Sequence, residues 1–324
     1  MAEYINIRGQ SIEVVASDPA NPTLGQIWYN STSNTLKGGG VTTTATWASG
    51  NSLNSPRGDN VGAGTQTAAL SFGGFFTTVL GDTEEYDGTN WATSNPFNTV
   101  RYGVAPAGTQ TAALAAGGQP TPTAAETEEY NGTSWTNSNP INTGRQYIGG
   151  AGTQTAALAF GGEATPGATS GATESYDGNS WTTSPSSLNT VRLLLGGCGT
   201  QTAALAFGGT PPITGATEEY NGATWTSSNS LNTARRGLGS AGTQTAALGF
   251  GGANPALFSA TELYDGTSWT TSPASLSTAR GRAAGAGTQT LALYAGGNII
   301  TGYTAVTEEW TGAGAPLTVT ITAS

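Results

Sequence analysis

The chain contains no histidine and only one cysteine, Cys198. Without histidine it lacks the commonest general base, the commonest metal ligand and every Ser-His or Cys-His couple. A single cysteine excludes an intrachain disulfide. Charge is scarce too: 9% of residues are charged, the formal net charge is −10, and Lys37 is the only lysine. No basic patch exists, so nucleic acid is not an expected partner. No apolar run approaches the length of a membrane-spanning helix, and the first residues lack the pattern of a signal peptide. The 3.6-residue apolar period is missing as well, so almost no helix is expected.

A repeat is present instead. Gly-Thr-Gln-Thr begins at Gly64, Gly108, Gly152, Gly199, Gly242 and Gly287, at intervals of 43 to 47 residues. Periods of this size mark repeat architectures. An arginine lies seven residues before each block: Arg57, Arg101, Arg145, Arg192, Arg235 and Arg280. A Gly-Gly pair and then a Thr-Glu pair follow, the latter bringing Glu84, Glu128, Glu174, Glu218, Glu262 and Glu308. An aromatic stands two residues after each glutamate, from Tyr86 to Trp310. Five residues on comes Trp91, Trp135, Trp181, Trp225 or Trp269, and Trp47 fits the same frame one repeat early.

Each unit reads as four short strands. The first follows the arginine, which opens it, and is poor in bulk. The second alternates small and large residues, as in Thr155-Ala156-Ala157-Leu158-Ala159-Phe160, which suits a half-buried strand. The third is Thr-Glu-Glu-Tyr, and the fourth carries the tryptophan. Asp-Gly or Asn-Gly between the last two supplies the positive φ of a tight hairpin. Four antiparallel strands repeated six times describe an all-β, six-bladed β-propeller. Inner strands crowd the axis and take Gly and Ala, while outer strands diverge and need large aromatics.

The run Arg … Gly-Gly … Glu-x-Tyr-[Asp/Asn] … Trp resembles the kelch repeat over about residues 43–310, with a Tyr-to-Trp interval shorter than is usual in that family. The resemblance implies a kelch-like propeller. The metal site of the copper oxidase in that family uses histidine ligands, so this chain cannot build it. Neither a metal nor another cofactor is expected, and no catalytic residue is assigned.

Residues 1–40 lie outside the frame and are expected to form a short N-terminal β module, with strands near Tyr4–Arg8 and Ile12–Val15. Gly25-Gln26-Ile27-Trp28-Tyr29-Asn30 resembles a short module of tail-fibre-like and other virion proteins of bacteriophages, marine ones especially. That resemblance implies an anchoring role for Ile27, Trp28 and Tyr29 toward other virion proteins. The propeller is expected over 41–316 and a C-terminal strand over 317–324. The sixth repeat lacks its tryptophan; either residues 43–48 or residues 317–323 close the ring.

Variation between repeats concentrates between Gly-Gly and Thr-Glu. Those connections carry Phe75, Phe76, Leu80, Ile213, Leu257, Phe258, Ile299 and Tyr303, apolar residues unusual for water-facing turns and candidates for a contact patch. The six Arg and six Glu are expected to pair structurally. Cys198 occupies a slot filled elsewhere by alanine, as at Ala151 and Ala241, and reads as a small core residue. The expected function is that of a non-enzymatic bacteriophage virion protein, structural or tail-fibre-like, localised in the virion. Its variable loops would meet a virion partner or a host-surface glycan or protein. A capsid decoration protein and an intracellular kelch-type interaction module are the alternatives.

Overall fold

Small residues in the first strand of each repeat let neighbouring backbones approach closely. A Cβ added at Gly150 would lie 2.2 Å from the carbonyl oxygen of Pro106 in the preceding repeat. In the computed structural model, which describes residues 12–19, 24–120, 125–164 and 167–321, these strands are Val61–Thr65, Ala105–Gly108, Gly149–Thr153, Gly196–Gly199, Gly239–Gly242 and Ala284–Gly287. Each touches the next, and the last touches the first. Each begins a four-stranded sheet, and in the first five the strand order follows the chain, as in Gly149–Thr153, Ala156–Phe160, Thr173–Tyr176 and Trp181–Thr183. The fold is all-β, without helix among the described residues. It is a multi-bladed β-propeller in which six sheets carry the repeat.

Thr46–Gly50 is the outer strand of the sixth sheet, beside Thr307–Thr311. The N-terminal side of the repeats therefore closes the ring. The alternative segment belongs elsewhere: Pro316–Thr320 pairs with Thr35–Val41 in a separate sheet. The chain accordingly divides into two compact units, Thr46–Trp310 and a second made of Met1–Ala45 with Thr311–Ser324. The C-terminal strand is thus part of the N-terminal module.

Three side-chain systems join the blades, and each explains a fixed letter of the repeat. The glutamine of Gly-Thr-Gln-Thr donates to two carbonyls of the preceding repeat: Gln154 Nε2 reaches Ala113 O at 3.0 Å and Tyr130 O at 2.7 Å. Gln66, Gln110, Gln201, Gln244 and Gln289 do the same, and Gln66 closes the circle on Ala292 and Trp310. The tryptophan Nε1 donates to the threonine that opens the third strand of the preceding repeat, from Trp135 to Thr83 at 2.9 Å through Trp47 to Thr261 at 2.9 Å. Five of these rings are buried, whereas Trp47, expected to match them, is half-buried. Tyr86, Tyr130, Tyr176 and Tyr264 donate to Glu309, Glu85, Glu129 and Glu219 of the neighbouring blade. Where the preceding repeat has Leu263 in place of that glutamate, the next carries Trp310 in place of tyrosine. The two changes match chemically, since a tryptophan needs no carboxylate acceptor.

Within each blade the arginine meets the glutamate of its own repeat, with Arg145 Nη2 2.8 Å from Glu174 Oε1 and both side chains fully buried. All six pairs form. The arginine does not open the first strand, as expected, but precedes it by about four residues, in the segment that enters the blade. The other carboxylate oxygen of Glu174 accepts the Asn142 N–H of that segment at 2.7 Å. The pair therefore fixes each blade's entry to its third strand. Cys198 is buried beside Leu205 and Phe207, and burial pushes its thiol up to about 12.

In the smaller unit, Glu13–Val15 runs parallel to Ile27–Asn30, which pairs antiparallel with Thr35–Val41. The Tyr4–Arg8 segment lies outside the described residues. Trp28 is 0% exposed, and its Nε1 donates to Asp18 at 3.0 Å. The same carboxylate oxygen accepts from Asn30 at 2.7 Å, and Lys37 lies 3.9 Å from the other oxygen. The hydrogen bonds of Asn30 and Trp28 lead in holding the Asp18 carboxyl below its usual range. Trp28 therefore fills this unit's core and is not the exposed anchor that the sequence suggested. Ile27 and Tyr29, half-buried, alternate to the other face, which they share by register with exposed Val14 and Val319.

Candidate recognition site at the channel mouth

Two residues after each repeat arginine the backbone turns left-handed. The six positions are Asp59, Gly103, Tyr147, Leu194, Gly237 and Arg282, with φ between 52° and 65°. Glycine adopts this conformation freely, whereas a side chain there costs about 1–2 kcal/mol. Gly103 and Gly237 show what the backbone prefers; the other four hold side chains against that cost. Backbone strain of this kind concentrates at functional sites.

These residues form a closed belt of backbone hydrogen bonds. The N–H of each donates to the carbonyl of its counterpart one repeat earlier: Tyr147 to Gly103 at 2.7 Å, Gly237 to Leu194 at 2.8 Å, Arg282 to Gly237 at 2.7 Å. The Asp59 N–H then donates to Arg282 O at 2.7 Å and completes the circle. The next residue of each repeat forms a second ring: Val104, Ile148, Leu195, Leu238, Ala283 and, as the polar exception, Asn60. Together the two rings line a cavity of about 90 Å³. It abuts the glycine- and alanine-lined channel, of about 210 Å³, through the shared residues Val61, Ile148, Leu195, Leu238 and Ala283.

The mouth is polar on one side. Arg282 Nη1 donates to Asp59 Oδ1 at 3.4 Å, and its guanidinium lies over the Tyr147 ring at 5.6 Å. The glycines make room for these side chains: a Cβ at Gly103 would lie 3.0 Å from the Tyr147 ring, and one at Gly237 2.9 Å from Arg282 Cγ. Burial raises the Asp59 carboxyl above its usual range, opposed by Arg282. Burial likewise raises the Tyr147 phenol, with Asp59 adding to the effect. Asn60 Nδ2 is held by Ser71 at 2.9 Å and by Ala295 O at 3.2 Å, while its buried Oδ1 has no partner among the described residues.

From Tyr147 an aromatic arc leads outward. Ring centroids run Tyr147 to Tyr102 at 6.0 Å, Tyr102 to Phe75, Phe75 to Tyr303 and Tyr303 to Phe76, the last three steps each 5.9 Å. Phe75, Phe76 and Tyr303, taken from three loop positions in the sequence, are thus brought together. Ile213, Leu257 and Phe258 lie on other blades and are half-buried, as are Leu80 and Ile299. Ile300, beside Ile299, is 92% exposed. The sequence reading missed Asp59, Asn60, Tyr102, Tyr147 and Arg282. Asp59, Tyr147 and Arg282 share the Arg-plus-two column, where two repeats have glycine, but the columns that hold Tyr102 and Asn60 vary beside it, so the sequence pattern did not set it apart. The loop residues 121–124 and 165–166 lie outside the described residues. Among those described, no three His, Cys, Asp or Glu side chains gather in a group able to hold a metal.

No protein-family model matches the chain, and no curated protein matches it. Among solved structures it is similar to YjhT, with a TM-score of 0.67 at 12% sequence identity, covering 80% of this chain and 95% of that one. At such identity the likeness establishes the propeller fold and nothing finer.

Proposed function

We propose that this protein is a non-catalytic recognition scaffold of a bacteriophage virion, with kelch-type blades, serving as a tail-fibre-like or other attachment protein. The observation that carries the reading is the contrast between scaffold and mouth. Six copies of the Arg–Glu pair and the Gln clamp are spent on rigidity. The segment after each arginine breaks that symmetry, and at its second residue it does so on the strained backbone of the mouth. A rigid frame that presents unlike side chains at one place is the layout of a binding surface. The six buried glutamates are each taken up by a repeat arginine, so none of them is free for acid–base work.

The virion assignment rests on the Gly25–Asn30 resemblance and on the composition, nearly free of lysine and rich in Ser, Thr, Asn and Gly. The smaller unit offers Ile27 and Tyr29 beside exposed Val14 and Val319 as a contact face for other virion proteins. The test is mass spectrometry of gradient-purified particles. The chain is expected at a fixed copy number per particle. Recovery only in the soluble fraction of the lysate would favour the intracellular interaction module instead.

A further inference from the structure

The mouth has a chemistry that narrows its ligand. Asp59 and Arg282 neutralise one another, so the site as a whole carries no net charge. An anion would compete with Asp59 for the guanidinium and meet the repulsion of a chain with net charge −10. A cation would compete with Arg282 for the carboxylate. A hydroxyl competes with neither, because it donates to a carboxylate and accepts from a guanidinium at once. Asn60, the polar member of the second ring, lies in the wall of the same cavity. Beside these groups stand the half-buried side chains of Tyr102 and Tyr147, large apolar rings with polar tips.

We propose that the channel mouth binds an uncharged hexopyranose unit of a glycan. Vicinal hydroxyls bridge Asp59 and Arg282, and the C–H face of a sugar ring lies on the aromatic arc. The cavity of about 90 Å³ takes the edge of one ring; the arc toward Phe75, Tyr303 and Phe76 carries the next. This inference rests on the recognition-scaffold reading and adds the ligand class.

The repeats provide the control. Because Gly103 and Gly237 occupy the same left-handed slot naturally, Tyr147→Gly and Arg282→Gly remove a side chain without straining the belt. The probe is the full-length labelled protein on an array of neutral, sialylated and sulfated glycans. Retention on neutral glycans is expected, weakened at least about tenfold by either variant, as the loss of one stacking or hydrogen-bonding partner implies. Val191→Ser, exposed and outside both rings, should leave it unchanged. If a variant loses its cooperative melt, Phe76→Ser at the exposed end of the arc takes its place with the same expected loss. Competition by free glucose, galactose or mannose at millimolar concentration would indicate that a single sugar suffices; resistance to it would indicate an oligosaccharide, and both agree with the proposal. It is overturned by retention of no neutral glycan, by retention of charged glycans alone, or by binding indifferent to these substitutions. Failure on the array with the protein present in particles removes the ligand class only; binding on the array with absence from particles removes the virion role only.

Discussion

Asp59 and Arg282 stand 223 positions apart in the chain and are joined twice, by a backbone hydrogen bond of 2.7 Å and a side-chain contact of 3.4 Å. The first closes a belt that every repeat shares; the second belongs to this junction alone. Closure and asymmetry therefore meet at one seam. The belt also sets unequal demands on its members. Gly237→Ala should lower stability by at least about 1 kcal/mol, since the new Cβ has both the left-handed backbone and Arg282 against it. Leu194→Gly should leave the melting temperature within a few degrees of the parent, because relief of strain offsets the added chain entropy. Thermal melts of the two variants check this, and equal effects would argue against a strained slot.

The glutamine clamp predicts an unusual order of substitutions. Gln154→Ala removes two donors from Ala113 O and Tyr130 O and should cost about 1–3 kcal/mol. Gln154→Glu keeps the shape but, at neutral pH, aims an acceptor at two acceptors. It should therefore cost more than alanine, as read from urea midpoints. Glutamate better tolerated than alanine would show that the side chain acts by packing.

Breaking one buried ion pair leaves its partner uncompensated. Glu174→Gln should destabilise by about 3–5 kcal/mol, measured by chemical denaturation, and Arg145→Met should do the same. A double substitution of both residues should recover part of the loss. A cost below about 1 kcal/mol for the single changes would mean that water reaches the pair.

Alkaline stability follows from the interblade tyrosines. Burial, with hydrogen bonds to the glutamates of neighbouring blades, pushes Tyr130, Tyr176 and Tyr264 up to about 12. The unfolded chain titrates near 10, so between the two values the folded state holds protons that the unfolded state releases. Their stabilisation is full below pH 10 and falls as pH rises from 10 to about 12. Denaturation midpoints should begin to fall near pH 9, where the unfolded Cys198 thiol ionises while the buried one holds its proton, and decline more steeply above pH 10; Tyr176→Phe should shallow the steeper part.

Much of this was legible in the sequence because the repeat supplied its own comparison. Glu174, Tyr176 and Trp181 keep the spacing of their counterparts in the first five repeats, and Arg145 keeps its distance to Gly152 as every repeat arginine does; such constancy is what recurring structural contacts impose. The Gln154 clamp was hidden in plain view, since a constant glutamine in a turn looks like turn chemistry until its acceptors in the neighbouring blade are known. The mouth was obscured for the opposite reason. Asp59, Tyr147 and Arg282 differ from one another, and only the shared positive φ reveals that they hold one position. For Ile27, Trp28 and Tyr29, alternation distinguishes two faces but not which of them is covered, and the structure buries the Trp28 face. The fate of residues 316–320 depended on a pairing with 37–41, nearly the whole chain away, which no local pattern encodes.

The central claim is that a closed, six-fold scaffold carries one asymmetric mouth. An experimental density map of the full-length protein at side-chain resolution tests it most directly. The account predicts six four-stranded sheets in the ring, Thr46–Gly50 as the outer strand of the last, and an unbroken belt in which the Asp59 N–H meets Arg282 O, with the Arg282 guanidinium between Asp59 and the Tyr147 ring. A ring of five or seven sheets, a gap between the repeats that hold Asp59 and Arg282, or those side chains turned away from the mouth would contradict it.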